Sequence, residues 1–139
     1  MQSDSARLYE FAADYTAAWC SQDAASVAAF FAPDGSLTIN GGVPSVGRIA
    51  ITDAAQSFMT AFPDLRVVMD QLIVKEGRVE YHWTLTGKNT APGGTNNPVR
   101  ISGFECWQID PEGLIASSQG YFDADDYGRQ LQGTAPGRS

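Results

Sequence analysis

Basic residues are scarce in this chain: nine Lys and Arg stand against sixteen Asp and Glu in 139 residues, a formal net charge of −7. Nucleic acid is held by phosphate neutralisation and anionic membrane surfaces by polybasic segments, so neither is expected as a partner. Histidine occurs once, at His82, and cysteine twice, at Cys20 and Cys106. A zinc site built from that set would need several carboxylates as ligands, so no metal is expected. The two thiols suit a reducing cytoplasm, although two are enough for one bridge. No apolar run approaches the ~18 residues that span a bilayer. The N-terminal M-Q-S-D-S-A-R has no apolar segment after a basic start, so no secretory signal is read and a cytoplasmic location is expected. No Gly-x-Ser-x-Gly elbow occurs, and P-G-G-T-N-N leads into neither Lys-Ser/Thr nor a helix, so a phosphate loop is not expected there.

What the chain does have is core material. Hydrophobic residues make up 43%, with three Trp, five Tyr and seven Phe. This length and composition imply one globular domain over residues 1–139, its core about 4–131 and a loose tail over 132–139. Leu8, Phe11, Ala12, Tyr15 and Trp19 recur at helical spacing, which predicts a helix from about Asp4 to Cys20, capped by Ser3 or Asp4. Asp23 can cap a second short helix through Phe31, and Pro33-Asp34-Gly35 reads as a stop and turn. A short strand is expected over Ser36–Asn40 and a third helix over Arg48–Phe62. From there the pattern is β: Leu65–Val74, a turn at Lys75-Glu76-Gly77, Arg78–Lys88, Val99–Ile109, a turn at Asp110–Gly113, and Leu114–Phe122. A short helix over Ala124–Leu131 follows. Asn89–Asn97 reads as a mobile rim.

Helices first and an antiparallel meander afterwards predict an α+β domain, with helices on one face of a curved, mostly antiparallel sheet. Three helices cannot seal a strongly bent sheet, so a cavity between them is expected. Tyr15, Trp19, Phe58, Phe62 and Trp107 would wall it or simply form the core. In the run Arg78–Lys88, Tyr81, Trp83 and Leu85 share one face and Glu80, His82, Thr84 and Thr86 the other; which face is inner stays open. Glu105 has the parity of Ile101 and Trp107. A carboxylate there is paired, exposed or functional. Asp70 poses the same puzzle. Tyr121 and Gln119 share the parity of Asp123, and Tyr121 offers a polar-tipped wall. Asp123 itself opens D-A-D-D-Y, where an N-cap role suffices.

Taken together, A-W-C-S-Q-D, A-F-F-A-P-D-G-S-L, A-F-P-D-L, Y-H-W-T-L-T-G, E-G-L-I-A-S-S-Q-G-Y-F-D and R-Q-L, in that order from Leu8 to Leu131, resemble the SnoaL-like polyketide cyclases of the nuclear transport factor 2-like superfamily. The resemblance implies a cone with a deep pocket, a homodimer, and acid–base chemistry without a cofactor. It implies that Asp123, at the end of the last strand, handles a substrate proton, with His82 polarising an oxygen or relaying the proton. The substrate would be a small apolar carbonyl compound that is cyclised or isomerised. The superfamily also holds members without chemistry, so a binding or dimerisation module is the rival expectation.

Overall fold

Four helices and six strands alternate in the order α1 (Asp4–Cys20), α2 (Ala24–Ala28), β1 (Phe31–Ile39), β2 (Ser45–Val46), α3 (Arg48–Ala61), β3 (Arg66–Lys75), β4 (Arg78–Lys88), β5 (Pro98–Ile109), β6 (Ile115–Phe122) and α4 (Ala124–Gln132). The computed structural model describes residues 4–75 and 78–133. The strands form one open mixed sheet in the order β2-β1-β6-β5-β4-β3. All neighbours run antiparallel except β1 and β6, which are parallel. Helices cover the concave face, which gives the α+β cone.

Amphipathicity drives this layering. Ala12, Tyr15 and Trp19 of α1 and Ile51, Ala55 and Met59 of α3 are buried. They meet Leu72, Tyr81, Leu85, Ile101 and Trp107 from the sheet in one core cluster. Two breaks in strand alternation decide which residues face that core. In β3, Met69 pairs with Trp83 and Gln71 with His82, so Asp70 is the extra residue of a bulge. Its carboxylate accepts from the Thr84 hydroxyl on the outer face, which answers the puzzle of a charge in an apolar strand. In β6, Ile115 pairs with Ile109 and Ser117 with Gln108, which leaves Ala116 extra. The bulge flips parity, so both Ile115 and Ser118 point inward and are fully buried.

Several expectations need correction. The second helix ends at Ala28, and Phe31 opens β1. Pro33-Asp34-Gly35 therefore lies within a strand. It sits where the register against β6 shifts between Phe31 and Ser36, a place that tolerates proline and glycine. Asp23 occupies the N-cap position of α2, but its side chain makes no capping bond. Of the caps expected for α1, Ser3 lies outside the described residues and Asp4 is the first helical residue. In the expected β3–β4 turn, Glu76 and Gly77 lie outside the described residues, as does the tail from 134 onward. Residues 89–97 are tied down. The buried Asn89 accepts from the Thr95 N–H at 2.7 Å and donates to the Ala61 carbonyl at 2.8 Å.

Where backbone partners run out, side chains stand in. Beyond the end of β6, the Gln130 amide accepts from the Arg100 N–H at 2.6 Å and donates to its carbonyl at 2.9 Å. Asn40 Oδ1 accepts from the Phe122 N–H at 2.9 Å. The Cys20 sulfur meets both the N–H and the carbonyl of Val67 at 3.3 Å. Among the described residues, no helix is long and apolar enough to cross a membrane.

Candidate active site

Tyr81, Trp83 and Leu85 form the inner row of β4, and the adjacent row of β5 runs Ile101, Gly103, Glu105, Trp107. Glu105 pairs with Tyr81 on one side and with Gly120 of β6 on the other. Gly120 carries no side chain, so a hollow is left beside the carboxylate. The hollow is a cavity with about 60 Å³ of free space. Its deep wall is Trp19, Leu37, Leu85, Ile101 and Glu105, all buried. Phe58, Trp83 and Phe122 line it too and are partly exposed, so they frame the mouth.

Glu105 is the carboxylate in this wall, and it is only 8% exposed. Its hydrogen bonds are uneven. Oε1 accepts from Ser118 Oγ at 2.7 Å, Trp107 Nε1 at 2.9 Å and Tyr15 Oη at 3.1 Å. Among the described residues, Oε2 has only the shared Tyr15 hydroxyl, at 3.2 Å. Burial raises the Glu105 carboxyl above its ordinary value, while bonds from Trp107, Ser118 and Tyr15 pull it back down. Burial and the neighbouring Glu105 charge hold Tyr15 well above the usual phenol range, so it remains a donor.

Aromatic packing fixes the carboxylate from behind. Tyr81 and Trp107 stack at 4.9 Å, and Tyr15 meets their rings edge-on at 5.4 and 5.2 Å. Thr16 spends its single proton on the Ala12 carbonyl, 2.8 Å away. The Tyr81 hydroxyl, 2.6 Å from Thr16 Oγ1, must therefore donate to Thr16 and not to Glu105.

The structure separates the sequence candidates by place. Trp19, Phe58 and Glu105 line the cavity. Tyr15 and Trp107 stand behind Glu105 and bond to it. Phe62 is a core residue packed against Gly87 and Tyr127. Gln119 and Tyr121 are exposed on the opposite face of the sheet, with Tyr121 5.2 Å from Phe104. His82 shares that outer face; it stacks on Phe104 at 5.4 Å and lies 3.4 Å from Glu80. Asp123 is exposed and caps α4, accepting from the Asp126 N–H at 3.0 Å. His82 and Asp123 thus do not meet across the cavity. Ser118, Gly120, Trp83 and Phe122 join the site instead. Replacing Asp123 with Ala is expected to cost about 1 kcal/mol and Asn almost nothing. Urea unfolding checks this, and an Ala variant as stable as the parent would remove the cap from the account.

An open cone of helices on a mixed six-stranded sheet is the nuclear transport factor 2-like fold. Within it the chain belongs to the SnoaL-like domain family, whose model matches residues 12–118. No curated protein matches the sequence. Among solved structures, a protein of ketosteroid isomerase-like fold from Catenulispora acidiphila, in complex with trimethylamine, superposes with TM-score 0.79 at 18% identity over 94% of this chain and 97% of that one. The epoxide hydrolase/cyclase-like enzyme SalBIII, of pyran ring formation in salinomycin, gives 0.76 at 20% identity over 88% and 95%. A candidate SnoaL-like polyketide cyclase from Jannaschia sp. CCS1 gives 0.72 at 13% identity over 88% and 92%. At such identities the likeness is one of fold.

Proposed function

We propose that this protein is a cofactor-independent acid–base enzyme that cyclises or isomerises a small apolar carbonyl compound, with Glu105 as the group that moves the proton. The observation that carries this reading is the uneven solvation of a buried carboxylate in an apolar cavity. Three donors orient Oε1, while Oε2 keeps a lone pair for a ligand. Burial brings the carboxyl closer to neutrality, which is what a base working at neutral pH needs. In the reaction, Oε2 takes a proton from the carbon next to the carbonyl. The C–H electron pair moves into the carbonyl as an enolate. In a cyclisation the α-carbon then attacks a second carbonyl of the same molecule, whose C=O π pair takes back the proton held by Glu105. In an isomerisation of a β,γ-unsaturated ketone, Glu105 returns the proton to the γ-carbon and the double bond moves into conjugation. SalBIII, a structural neighbour named for cyclase-like chemistry, lends support.

Free space of about 60 Å³ is well below the ~150 Å³ cavity that holds benzene. A polycyclic substrate would therefore enter by one end, with its remainder at the mouth beside Phe58 and Phe122. The test is exchange of α-protons for deuterium, followed by NMR over a panel of small and fused-ring ketones. Absence of protein-dependent exchange in every member would sink the enzyme reading. The same narrowness favours a second reading, a non-catalytic binding module for a small molecule. Under it, ligands bind without exchange. The trimethylamine complex of the Catenulispora protein makes small amines the first class to try.

We further propose a homodimer formed through the outer face of the sheet, where His82, Phe104 and Tyr121 make an aromatic row beside the 56% exposed Val68. Phe104→Asp should sediment as a monomer where the parent sediments as a dimer. A monomeric parent would end this idea.

A further inference from the structure

Three of the nine Lys and Arg side chains line a second hollow, away from Glu105. Thr86 is at its centre. Arg66 pairs with Thr86 from β3 and Arg100 pairs with it from β5, so the three form one cross-strand row. Leu85 is buried in the core, which puts Thr86 and its row on the outer face of the sheet. Lys88 follows two residues along β4, on the same side. Neighbouring strands are about 4.8 Å apart and alternate residues of one strand about 6.8 Å, so each cation springs from within about 7 Å of Thr86. The hollow is a groove with about 500 Å³ of free space, inside the ~300–1,000 Å³ range of small-molecule sites.

These cations are not used up by the fold. Lys75, Arg78 and Arg129 pair with carboxylates, but none of Arg66, Lys88 and Arg100 does so among the described residues. The half-buried Thr86 hydroxyl likewise bonds no described residue. Asp64 is the one carboxylate among the described residues of the lining, and its Oδ1 accepts from the Lys88 N–H at 2.8 Å. Asp70, further along the same face, accepts from Thr84. Three cations against Asp64 leave the groove positive in a chain whose net charge is −7. Charges more than about 8 Å away are largely screened at physiological salt, so an anion over Thr86 meets the local excess and not the acidic whole.

We propose that this groove binds the phosphate group of a small phosphate monoester, seated over Thr86. Such a group carries about −1.5 to −2 at neutral pH, which matches the local excess. Its three terminal oxygens can accept from two guanidinium forks, the Lys88 ammonium and the Thr86 hydroxyl. A lone carboxylate brings one charge and two oxygens, and so uses the set less fully. The site lies across the sheet from Glu105 and stands apart from the acid–base reading.

The test titrates phenyl phosphate into the intact ¹⁵N-labelled protein in low-salt, phosphate-free buffer, with phenyl sulfate, a monoanion of similar shape, in parallel. Phenyl phosphate should shift the amides of Arg66, Thr86, Lys88 and Arg100, and its affinity should fall as NaCl is added. It should bind about tenfold more tightly than the sulfate, the worth of one charge-assisted hydrogen bond. Arg66→Gln and Arg100→Gln keep most of each stem and remove an exposed charge, so the fold should hold. Each should weaken phenyl phosphate about tenfold by the same measure. Glu105→Gln should bind it as the parent does. No saturable binding, affinity indifferent to the two arginine variants, or loss of binding in Glu105→Gln would overturn the proposal. So would a variant with Gln at 66, 88 and 100 that loses dimerisation when the parent binds no phenyl phosphate, since the cations would then serve the contact between subunits.

Discussion

Glu105→Gln is expected to lower α-proton exchange by ~10²-fold or more, the usual contribution of a positioned base, while the protein stays folded. Gln preserves the shape of the side chain. Its Oε1 can still accept from Ser118 and Trp107, and its amide can donate toward the Tyr15 oxygen. Only the basic lone pair is lost. The same variant isolates the pH dependence. Burial makes the folded protein hold the Glu105 proton more tightly than the unfolded chain does. The stabilisation linked to this group is therefore fully present below the unfolded carboxyl value, and it is lost as pH rises through the folded one. Glu80 runs the other way: Lys75 first, then His82 and Arg78, lower its carboxyl, so its contribution fades as pH falls. Subtracting the unfolding curves of Glu105→Gln from those of the parent cancels Glu80. The parent should lose ground relative to the variant between acid and neutral pH. A difference that does not change with pH would show that the Glu105 carboxyl is not raised.

Gly103→Ala is expected to be among the most damaging single changes available. Its Cβ would sit 2.2 Å from the Tyr121 carbonyl oxygen and 3.0 Å from Phe122 Cβ, besides the Trp83 ring. The Tyr121 oxygen belongs to the paired backbone of β6 and cannot step aside. The cost should reach or exceed the upper end of the ~1–3 kcal/mol typical of overpacking. Gly120→Ala is the control. There the new carbon would lie 3.6 Å from the Thr38 carbonyl and 3.7 Å from Glu105 Cγ, ordinary contacts. Stability should hold, but the methyl would occupy the hollow beside Glu105 and weaken ligand binding. Urea unfolding of the two variants checks the ranking, and a Gly103→Ala as stable as Gly120→Ala would refute it.

Much of the fold was readable because long amphipathic runs announce themselves. The limits of β4 are those expected from its pattern; β5, β6, α3 and α4 differ by one residue at one end, and β3 by one residue at each end. β1 was obscured because P-D-G carries strong turn chemistry, and pairing with β6 overrides it through an irregular register. The site was only half readable. Glu105 stood out as a charge at an apolar parity, and the structure gives it three donors. β6 misled, since I-A-S-S-Q-G-Y-F has polar residues on both parities and a bulge at Ala116 shifts the frame midway. With no amphipathic signal, the polar tips of Tyr121 and Asp123 drew the eye from Ser118 and Gly120. No local feature of β4 marks its inner face. Burial of Tyr81 and Leu85 decides it and sends His82 outward.

The hydrogen bonds of Gln130, Asn40 and Cys20 to Arg100, Phe122 and Val67 also protect the molecule from its own kind. Each blocks a place where a neighbouring chain could add a strand and begin edge-to-edge aggregation. Gln130 does so from α4, a nine-residue helix with no fully buried side chain. Local fraying of α4 would therefore expose a template for intermolecular β-pairing before the core had opened. The protein's colloidal lifetime would then be set by the weakest helix and not by global stability.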